Sequence, residues 1–255
     1  MEKIILITGA TSGIGEATAI RLAKKGHWLI LCGRRKEKLI NLMESLSSHT
    51  QIMTLCFDVR NSNDVFQRIN SLPESWKNID VLINNAGNAH GQSPIQEGLI
   101  EDWNAMIDGN IKGVLHLSKA IIPQMIKRKS GHIINISSIA GKETYENGAV
   151  YCASKKAVEA LSEGMRLDLS RHHIKVSNVA PGAVETEFSM VRFKGDLDKS
   201  TKVYQGYNAL KGDDIADLID YLINAPKRVN ISDVTILPSA QSSASIIHKK
   251  KNNIK

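Results

Sequence analysis

The sequence predicts an α/β fold in which a doubly wound parallel sheet of about seven strands carries helices on both faces. Short apolar runs rich in Ile, Val and Leu alternate along the chain with segments of helical periodicity. A continuous apolar run is typical of a strand that is buried on both faces. No linker rich in Pro, Gly or Ser and no internal repeat interrupts the 255 residues, which favours a single domain.

The predicted strands are the apolar segments, taken in chain order. They cover residues 4–7, 28–32, 52–57, 81–83, 133–136, 174–179 and 234–237. The helices between them include a single long one over 100–126 and one that carries Tyr151 and continues through Leu169. Residues 185–211 lack clean periodicity, and an irregular stretch of this length is often a lid or a binding segment.

The composition is that of an ordinary globular protein, with 42% hydrophobic and 23% charged residues. No apolar run approaches the roughly 18 residues that a membrane span requires, and the first apolar run is too short for a signal peptide. The three cysteines Cys32, Cys56 and Cys152 lack metal-ligand spacing, and so sparse a set fits a reducing cytoplasm. We therefore expect a cytoplasmic protein with no metal and no membrane partner.

The net charge of +7 invites a nucleic-acid interpretation. However, residues 248–255 carry four lysines and no acidic residue, so this short tail accounts for more than half of the excess. No basic stripe with interleaved aromatic residues occurs elsewhere. We expect no nucleic-acid partner, and we expect one domain over residues 1–247 followed by a basic tail over 248–255.

The first predicted strand runs into a glycine-rich turn, Thr8-Gly9-Ala10-Thr11-Ser12-Gly13-Ile14-Gly15, which opens a helix. Glycines let the backbone approach a phosphate closely, and a helix N-terminus supplies amide donors. The spacing differs from Gly-x-Gly-x-x-Gly. Nevertheless, the strand–turn–helix context favours a dinucleotide-binding turn over a plain tight turn.

The second strand ends in Gly33-Arg34-Arg35. In dinucleotide-binding folds an acidic residue near this point binds the ribose hydroxyls, whereas an arginine accommodates the 2′-phosphate. Two arginines and no acid therefore favour NADP over NAD. The alternative is that both arginines merely open the next helix on its solvent side.

Polar or small residues follow the later strands where each strand ends. These segments are Asp58-Val59, Asn84-Asn85-Ala86-Gly87, Ser137-Ser138 and Ala180-Pro181-Gly182. Ligands of open α/β sheets bind beyond the carboxyl ends of the strands. We therefore expect these segments to surround one crevice.

Tyr151 and Lys155 lie four residues apart in a predicted helix, so their side chains share one helix face. A phenol normally loses its proton at about pH 10, and a nearby ammonium lowers that pKa. The pair is a candidate proton-transfer device, although the same spacing also occurs on ordinary helix surfaces. Ser138 lies thirteen residues earlier, at a strand end, and Asn110 is a mildly unfavourable residue inside a predicted helix.

Taken together and in order, these motifs resemble those of the short-chain dehydrogenase/reductase family over nearly the whole chain. The resemblance implies a Rossmann-type fold and an oxidoreductase, and family members are commonly homotetramers. It implies that Tyr151 is the acid/base and that Ser138 hydrogen-bonds the substrate oxygen. It further implies that Lys155 holds the nicotinamide ribose and lowers the phenol pKa, and that Asn110 keeps a proton-relay water in place.

The resemblance also implies a set of cofactor contacts. Asp58 and Val59 would meet the adenine, and Val184 and Thr186 the carboxamide end. The full cofactor set is Gly9, Thr11, Ser12, Gly13, Ile14, Gly15, Arg34, Arg35, Asp58, Val59, Asn85, Ala86, Gly87, Tyr151, Lys155, Pro181, Gly182, Val184 and Thr186.

Within the family, the chain is similar to the group that oxidises serine, allo-threonine and related short 3-hydroxy acids with NADP. This similarity rests on Cys32-Gly33-Arg34-Arg35, Pro73-Glu74-Ser75-Trp76, residues 191–196 and residues 237–242. Such a substrate would contact Ser138 and Tyr151. For its carboxylate, our hypothesis is a bidentate contact from Arg192, the alternative being that this arginine faces solvent.

Besides a nucleic-acid-binding role through the basic tail, two other functions stay open from the sequence. One is a carbonyl reductase of the same family that acts on a neutral or bulkier ketone or alcohol. The other is a protein that senses NADP without turnover. The presence of Asn110, Ser138, Tyr151 and Lys155 argues against a sensor, because a sensor needs no acid/base.

Overall fold

The structure is a computed structural model that describes residues 2–250. Its centre is one parallel sheet of seven strands in the order β3-β2-β1-β4-β5-β6-β7. The strands are β1 Ile4–Thr8, β2 Trp28–Gly33, β3 Ile52–Cys56, β4 Val81–Asn84, β5 Gly131–Ile136, β6 Ile174–Pro181 and β7 Asp233–Ile236. The predicted doubly wound α/β fold is confirmed.

The α-helices of the described residues connect these strands. They are α1 Gly13–Ala23, α2 Lys36–Leu46, α3 Ser62–Asn70, α4 Ile100–Ile107, α5 Gly113–Arg128, α6 Ile139–Lys142, α7 Ala149–Leu169, α8 Phe188–Arg192, α9 Leu197–Tyr204 and α10 Gly212–Asn224. None of the helices within residues 2–250 combines the length and apolar character needed to cross a membrane.

Apolar side chains of the strands contribute to two hydrophobic cores, one on each face of the sheet. Because successive side chains of a strand point to opposite faces, Ile5 and Ile7 lie in the core under α1, α2 and α10, whereas Leu6 lies in the core under α3 and α5. All three side chains are fully buried. Burying a side chain of this size contributes about 1.5–3 kcal/mol, so both faces stabilise the sheet.

The strand order reverses between β1 and β4, which pair directly. From β1 the chain winds outward through β2 and β3, and it then returns to β4 on the other side. The helices that follow β1 and β4 leave on opposite faces, which opens a crevice at the carboxyl ends of these two strands. Every polar strand end that the sequence singled out therefore borders the same edge.

The predicted long helix over residues 100–126 is present as a continuous helical run over 100–128, but it contains a π-helical turn that the sequence did not predict. Helix α4 ends at Ile107, a π-helical turn covers Asp108–Lys112, and α5 begins at Gly113. Asn110 lies in this turn and hydrogen-bonds the backbone of Asn88 with both ends of its amide. Single π turns inside helices are frequent at functional sites, and this one carries Asn110, which lies behind Gly87 of the crevice.

The segment over residues 185–211 is more regular than predicted, because it contains the short helices α8 and α9. The first part of the predicted basic tail packs against its end: the Lys250 amide donates to the Gly206 carbonyl, and Lys249 Nζ to the Lys202 carbonyl. Residues 251–255, the rest of that predicted tail, lie outside the described residues.

Candidate active site

A cavity of about 340 Å³ occupies the crevice at the carboxyl ends of the strands. Most residues predicted for the cofactor line it together with Ser138. They are Gly9, Thr11, Ser12, Gly13, Ile14, Arg34, Arg35, Asp58, Val59, Asn85, Ala86, Gly87, Tyr151, Lys155, Pro181, Gly182, Val184 and Thr186. Gly15, Asn110 and Arg192 are predicted site residues that do not line this cavity.

The glycine-rich turn has the geometry that a phosphate cradle requires. Gly9 and Gly13 have φ angles of 66° and 56°, in the left-handed region that favours glycine. A Cβ on Gly9 would lie 3.0 Å from the Cα of Ala86, and one on Gly13 would lie 3.0 Å from the Thr186 side chain. Gly15 lies behind the turn, where a Cβ would collide with the Gly9 carbonyl oxygen, so its role is close packing of α1 on the turn.

Thr8 ties the ends of β1 and β4 together. Its Oγ1 accepts hydrogen bonds of 3.0 Å from the amides of Asn85 and Ala86. The Asn85 side chain donates back to the Thr8 carbonyl at 2.9 Å. The Asn85 amide group therefore fixes the two strand ends, and the backbone of residues 85–87 is what faces the cavity. The glycine-rich motif includes Thr8 but does not reveal this contact, because the partners follow β4, more than seventy residues away.

The far end of the crevice is basic. The Arg35 guanidinium donates to Thr11 Oγ1 and Ser12 Oγ on the glycine-rich turn, at 2.9 and 2.8 Å. Its Nη1 also donates to Glu187, which lies beside Lys38 as well. Arg35 therefore does more than open α2, and it bridges the turn to the segment after β6.

Arg34 remains the more available cation at this end. Its side chain is 63% exposed, and its only ion pair among the described residues is a 3.8 Å contact with Asp58. Asp58 pairs mainly with Arg60, whose Nε donates to Oδ1 and whose Nη2 donates to Oδ2. Burial raises the pKa of Asp58, but the hydrogen bonds from Arg60 outweigh burial and leave that pKa lowered. Arg60 also lines the cavity, and the sequence offered no motif that identified it.

Asn110, Ser154 and Tyr151 form a buried chain of hydrogen bonds. Asn110 Nδ2 donates to Ser154 Oγ at 2.9 Å, and this hydroxyl donates to the Tyr151 carbonyl at 2.7 Å. Because both ends of the Asn110 amide are also bonded to Asn88, the amide has a fixed orientation. The chain anchors the first turns of α7 to the π turn. Ser154 was not identified from the sequence.

Lys155 is buried, and its Nζ donates to the Ile136 carbonyl at 3.0 Å. Gly87 makes room for it: a Cβ there would lie 3.3 Å from Lys155 Nζ and 3.1 Å from Asn110 Oδ1. Burial lowers the pKa of the Lys155 ammonium to about 8. The side chain is therefore positioned by its backbone contact and is exposed only toward the cavity.

The Tyr151 phenol lies between the cavity, Phe188 and Arg192. Its ring packs against that of Phe188 with the centroids 5.7 Å apart. Burial raises the pKa of Tyr151 to about 12, whereas the Arg192 charge and a hydrogen bond with Ser138 lower it. Ser138 caps α6, accepting from the Ala140 amide at 3.1 Å, and this contact fixes its hydroxyl at the site.

Arg192 lies on the side of Tyr151 that faces away from the large cavity. Its Cζ is 4.8 Å from the centroid of the Tyr151 ring, and its Nη2 donates to Tyr145 Oη at 2.5 Å. It borders a second, small cavity of about 30 Å³ that Tyr151 also lines. A solvent-facing Arg192, the alternative from the sequence, is therefore not what the structure has.

Metal binding finds no support in the part of the chain that the structure describes, residues 2–250. No three His, Cys, Asp or Glu side chains there converge in a way that would hold an ion.

A doubly wound sheet whose crevice joins a glycine turn, two arginines and a buried Tyr–Lys pair is the arrangement of a dinucleotide-dependent dehydrogenase. A sequence model of the short chain dehydrogenase family matches residues 3–196. The chain belongs to this family.

Individual relatives are similar over nearly their whole length. The chain is 42% identical over 248 residues to the NADP-dependent 3-hydroxy acid dehydrogenase YdfG of Salmonella typhi, covering 96% of this chain and 99% of that one. It is 41% identical over 243 residues to sulfoacetaldehyde reductase 2 of Chromohalobacter salexigens, covering 95% and 96%. Among solved structures, the closed form of a serine dehydrogenase complexed with NADP+ has a TM-score of 0.91 at 42% identity, covering 97% of this chain and 100% of that one.

Proposed function

We propose that the protein is an NADP-dependent oxidoreductase that transfers a hydride between NADP(H) and the carbinol or carbonyl carbon of a small 3-hydroxy acid. Serine, L-allo-threonine, 3-hydroxyisobutyrate and 3-hydroxypropionate are the substrate types. The observation that carries the proposal is the convergence of Ser138, Tyr151 and Lys155 on one cavity whose other end is basic. The relatives named above support the cofactor and the substrate class.

The residues of the crevice fit NADP. The left-handed glycines of the β1–α1 turn leave room for a pyrophosphate at the N-terminus of α1. Arg34 and Arg35 supply the positive charge that a 2′-phosphate requires. When bound, NADP supplies the nicotinamide that accepts or donates the hydride. The chain itself supplies orientation and proton transfer.

For oxidation, the Tyr151 phenolate takes the proton of the substrate hydroxyl. Ser138 donates a hydrogen bond to the same oxygen as its charge changes. Lys155 holds the nicotinamide ribose. Asn110, whose side-chain amide is held by Asn88 and Ser154, keeps a proton-relay water in place. In reduction, Tyr151 acts as the acid.

The carboxylate of the substrate is assigned to Arg192 together with Tyr145. Both polar groups lie beside Tyr151, and the guanidinium Nε is buried without a hydrogen-bond partner among residues 2–250. Burying an unpaired donor is costly, so an incoming anion would satisfy it. Sulfoacetaldehyde, named for one relative, is also an anionic carbonyl compound, which fits a site that selects for negative charge.

The proposal includes a single NADP-binding domain over residues 1–247, with the substrate segment over 185–211 and a basic tail over 248–255. It also includes a homotetramer in the cytoplasm. Light scattering of the purified chain tests the oligomeric state, and a dimer or monomer at micromolar concentration would contradict it.

Reduced-nicotinamide absorbance with NADP+ tests the reaction. The panel contains L-serine, L-allo-threonine, 3-hydroxyisobutyrate, 3-hydroxypropionate and matched neutral alcohols, with sulfoacetaldehyde and NADPH for the reverse direction. We expect turnover with at least one 3-hydroxy acid and a lower kcat/KM for its neutral counterpart. Turnover of neutral alcohols alone would contradict the substrate class but not the enzyme class.

A further inference from the structure

The guanidinium of Arg192 lies in a box of three aromatic rings. Its Cζ is 4.8 Å from the ring centroid of Tyr151, 5.5 Å from that of Phe188 and 5.8 Å from that of Tyr145. A cation within about 6 Å of an aromatic face is attracted by the ring, more strongly when water is excluded. The nearest of the three rings is that of the proposed acid/base.

Contacts from the loop after β4 and from α4 hold Arg192 in this box. Its carbonyl oxygen accepts from the Gly91 amide at 2.9 Å. Two residues further on, Lys194 Nζ pairs with Asp102 Oδ2 at 2.9 Å. The guanidinium itself donates to Tyr145 Oη. The position of the charge is therefore fixed independently of any bound substrate.

Several other titratable groups surround Tyr151. Tyr145 and Cys152, when ionised, would oppose loss of the phenol proton, and Ser138 favours it by hydrogen bonding. His90 and Asp102 line the small cavity beyond the ring. Lys155 is one turn along the same helix, with its Nζ bonded to the Ile136 carbonyl. Arg192 is thus the cation in direct contact with the ring face.

We propose that Arg192 is a second cation of the proton-transfer site, whose charge acts on the Tyr151 phenol through the ring face and is neutralised when a substrate carboxylate binds. This inference rests on the proposed function, because it takes Tyr151 to be the acid/base. Arg192 would then have two roles in one position. It would bind the anionic end of the substrate, and binding of that anion would change the effect of its charge on the proton acceptor Tyr151.

The balance of the oxidation step shows what this coupling does. The substrate O–H bond breaks and its proton passes to Tyr151 Oη, while the carbinol carbon gives a hydride to NADP+ and becomes a carbonyl. An unneutralised cation beside the phenol favours the phenolate, and pairing that cation with a carboxylate removes this effect. The pKa of Tyr151 is therefore higher when an acidic substrate is bound than when a neutral alcohol is bound, and its phenolate is the stronger base with the acid.

The pH profile of oxidation tests the coupling, with 3-hydroxypropionate and its neutral amide as the matched substrates. The rate of oxidation rises with pH as Tyr151 ionises. The pH dependence of kcat/KM reports the pKa of Tyr151 in the free enzyme, and that of kcat reports its pKa in the substrate complex. In the wild type, we expect the rise in kcat to lie about one pH unit higher for the acid than for the amide. In Arg192→Gln, the rise for the amide should move up by a similar amount, to about the pH at which the wild type rises with the acid.

Arg192→Lys is the matched control, because it keeps a positive charge without the planar fork. It should retain most of the wild-type profile for the amide. If Arg192 only anchored the carboxylate, the outcome would differ. Arg192→Gln would then raise KM for the acid and leave the pH profile for the amide unchanged. That result would overturn the proposal.

A second readout does not depend on turnover. Tyrosinate ultraviolet absorbance is measured against pH, and the contribution of Tyr151 is the signal that Tyr151→Phe removes. We expect this contribution to appear at higher pH in Arg192→Gln than in the wild type, with Arg192→Met measured if the Gln variant does not fold. An unchanged Tyr151 signal would overturn the proposal. A shifted signal in a protein that oxidises no 3-hydroxy acid would support it while the proposed substrate class fails.

Discussion

The carboxylate of Glu187 accepts a 2.7 Å hydrogen bond from Arg35, a residue 152 positions earlier in the chain. A second bond of 2.8 Å joins Glu187 to Lys38. These bonds cross the mouth of the crevice and connect the end of β2 to the segment before α8. Bonds from Lys38 and Arg35 lower the pKa of Glu187 to about 2, so the carboxylate is charged at neutral pH. An anion of the chain thus occupies Arg35, one of the two cations that we assign to the 2′-phosphate.

Removing this anion should strengthen NADP binding. In Glu187→Gln, Arg35 and Lys38 lose their internal partner, and the Kd for NADP should fall by about two- to fivefold, the size expected of exposed ion pairs. NAD, which lacks the 2′-phosphate, should be affected less. Calorimetric titration with both cofactors measures the two Kd values.

Glu185→Gln is the control, because it makes the same charge change at an exposed position two residues away. It should leave both Kd values unaltered. Weaker NADP binding in Glu187→Gln would mean that the carboxylate supports the site.

Arg34 should determine the choice between the cofactors. It is more exposed than Arg35 and has only a long contact with Asp58. Arg34→Asp replaces the cation by an acid that can meet the ribose hydroxyls, and the ratio of kcat/KM for NADP to that for NAD should fall by about tenfold or more. Steady-state kinetics with both cofactors measure the ratio. An unchanged ratio would refute the phosphate role of Arg34.

Ser154 should matter to catalysis through the residues that it joins. Ser154→Ala removes the link between Asn110 and the Tyr151 carbonyl, and it should cost about 1–3 kcal/mol of unfolding free energy and lower kcat. Ser162→Ala is a matched control on the same helix, because Ser162 is equally buried, accepts from Asn135 and donates to the Val158 carbonyl. Urea unfolding should show similar losses for both variants, whereas kcat should fall only for Ser154→Ala. Equal kcat values would show that the Asn110 link is purely structural.

The buried ammonium of Lys155 makes stability depend on pH. Burial lowers its pKa to about 8 from an ordinary value of 10.5. Between these two values the unfolded chain holds the proton and the folded chain does not, so the free energy of unfolding rises with pH across this window. Below the window both states are protonated, and the fold carries the full cost of the buried charge. In Lys155→Met, the free energy of unfolding should not show this rise with pH.

Urea unfolding of the cofactor-free protein at both ends of this pH window measures the effect. Other groups titrate equally in the two proteins, so the difference between wild type and Lys155→Met isolates Lys155. The same pH slope in both proteins would show that Lys155 stays charged in the fold.

Much of the fold was predictable because its signals are local. An apolar run such as Ile4–Thr8 indicates a buried strand by itself, and the glycine turn that follows identifies the start of the next helix. The strand ends then had to meet at one edge because the sheet is parallel. Those three steps bring Ser138, Tyr151 and Lys155 together without any long-range information.

What the sequence did not show depends on contacts between distant residues. The π turn between α4 and α5 is accompanied by the bonds of Asn110 to Asn88, which lies 22 residues away on a loop. Glu187 acquires its role only when the segment after β6 folds across the crevice to Arg35. The position of Arg192 over the Tyr151 ring likewise follows from tertiary packing. Neither side chain belongs to a motif with a spacing that would reveal its partner.

The most direct test of the central claim is the rate of Tyr151→Phe. This variant keeps the ring and its packing on Phe188 but removes the proton-transfer group. With NADP+ and the best 3-hydroxy acid of the panel, kcat/KM should fall by about 10²–10⁴, the usual contribution of an acid/base, while the Kd for NADP stays within a few-fold of the wild type. Tyr221→Phe, at an exposed position on α10, should behave as the wild type. Near-normal turnover by Tyr151→Phe would contradict the account.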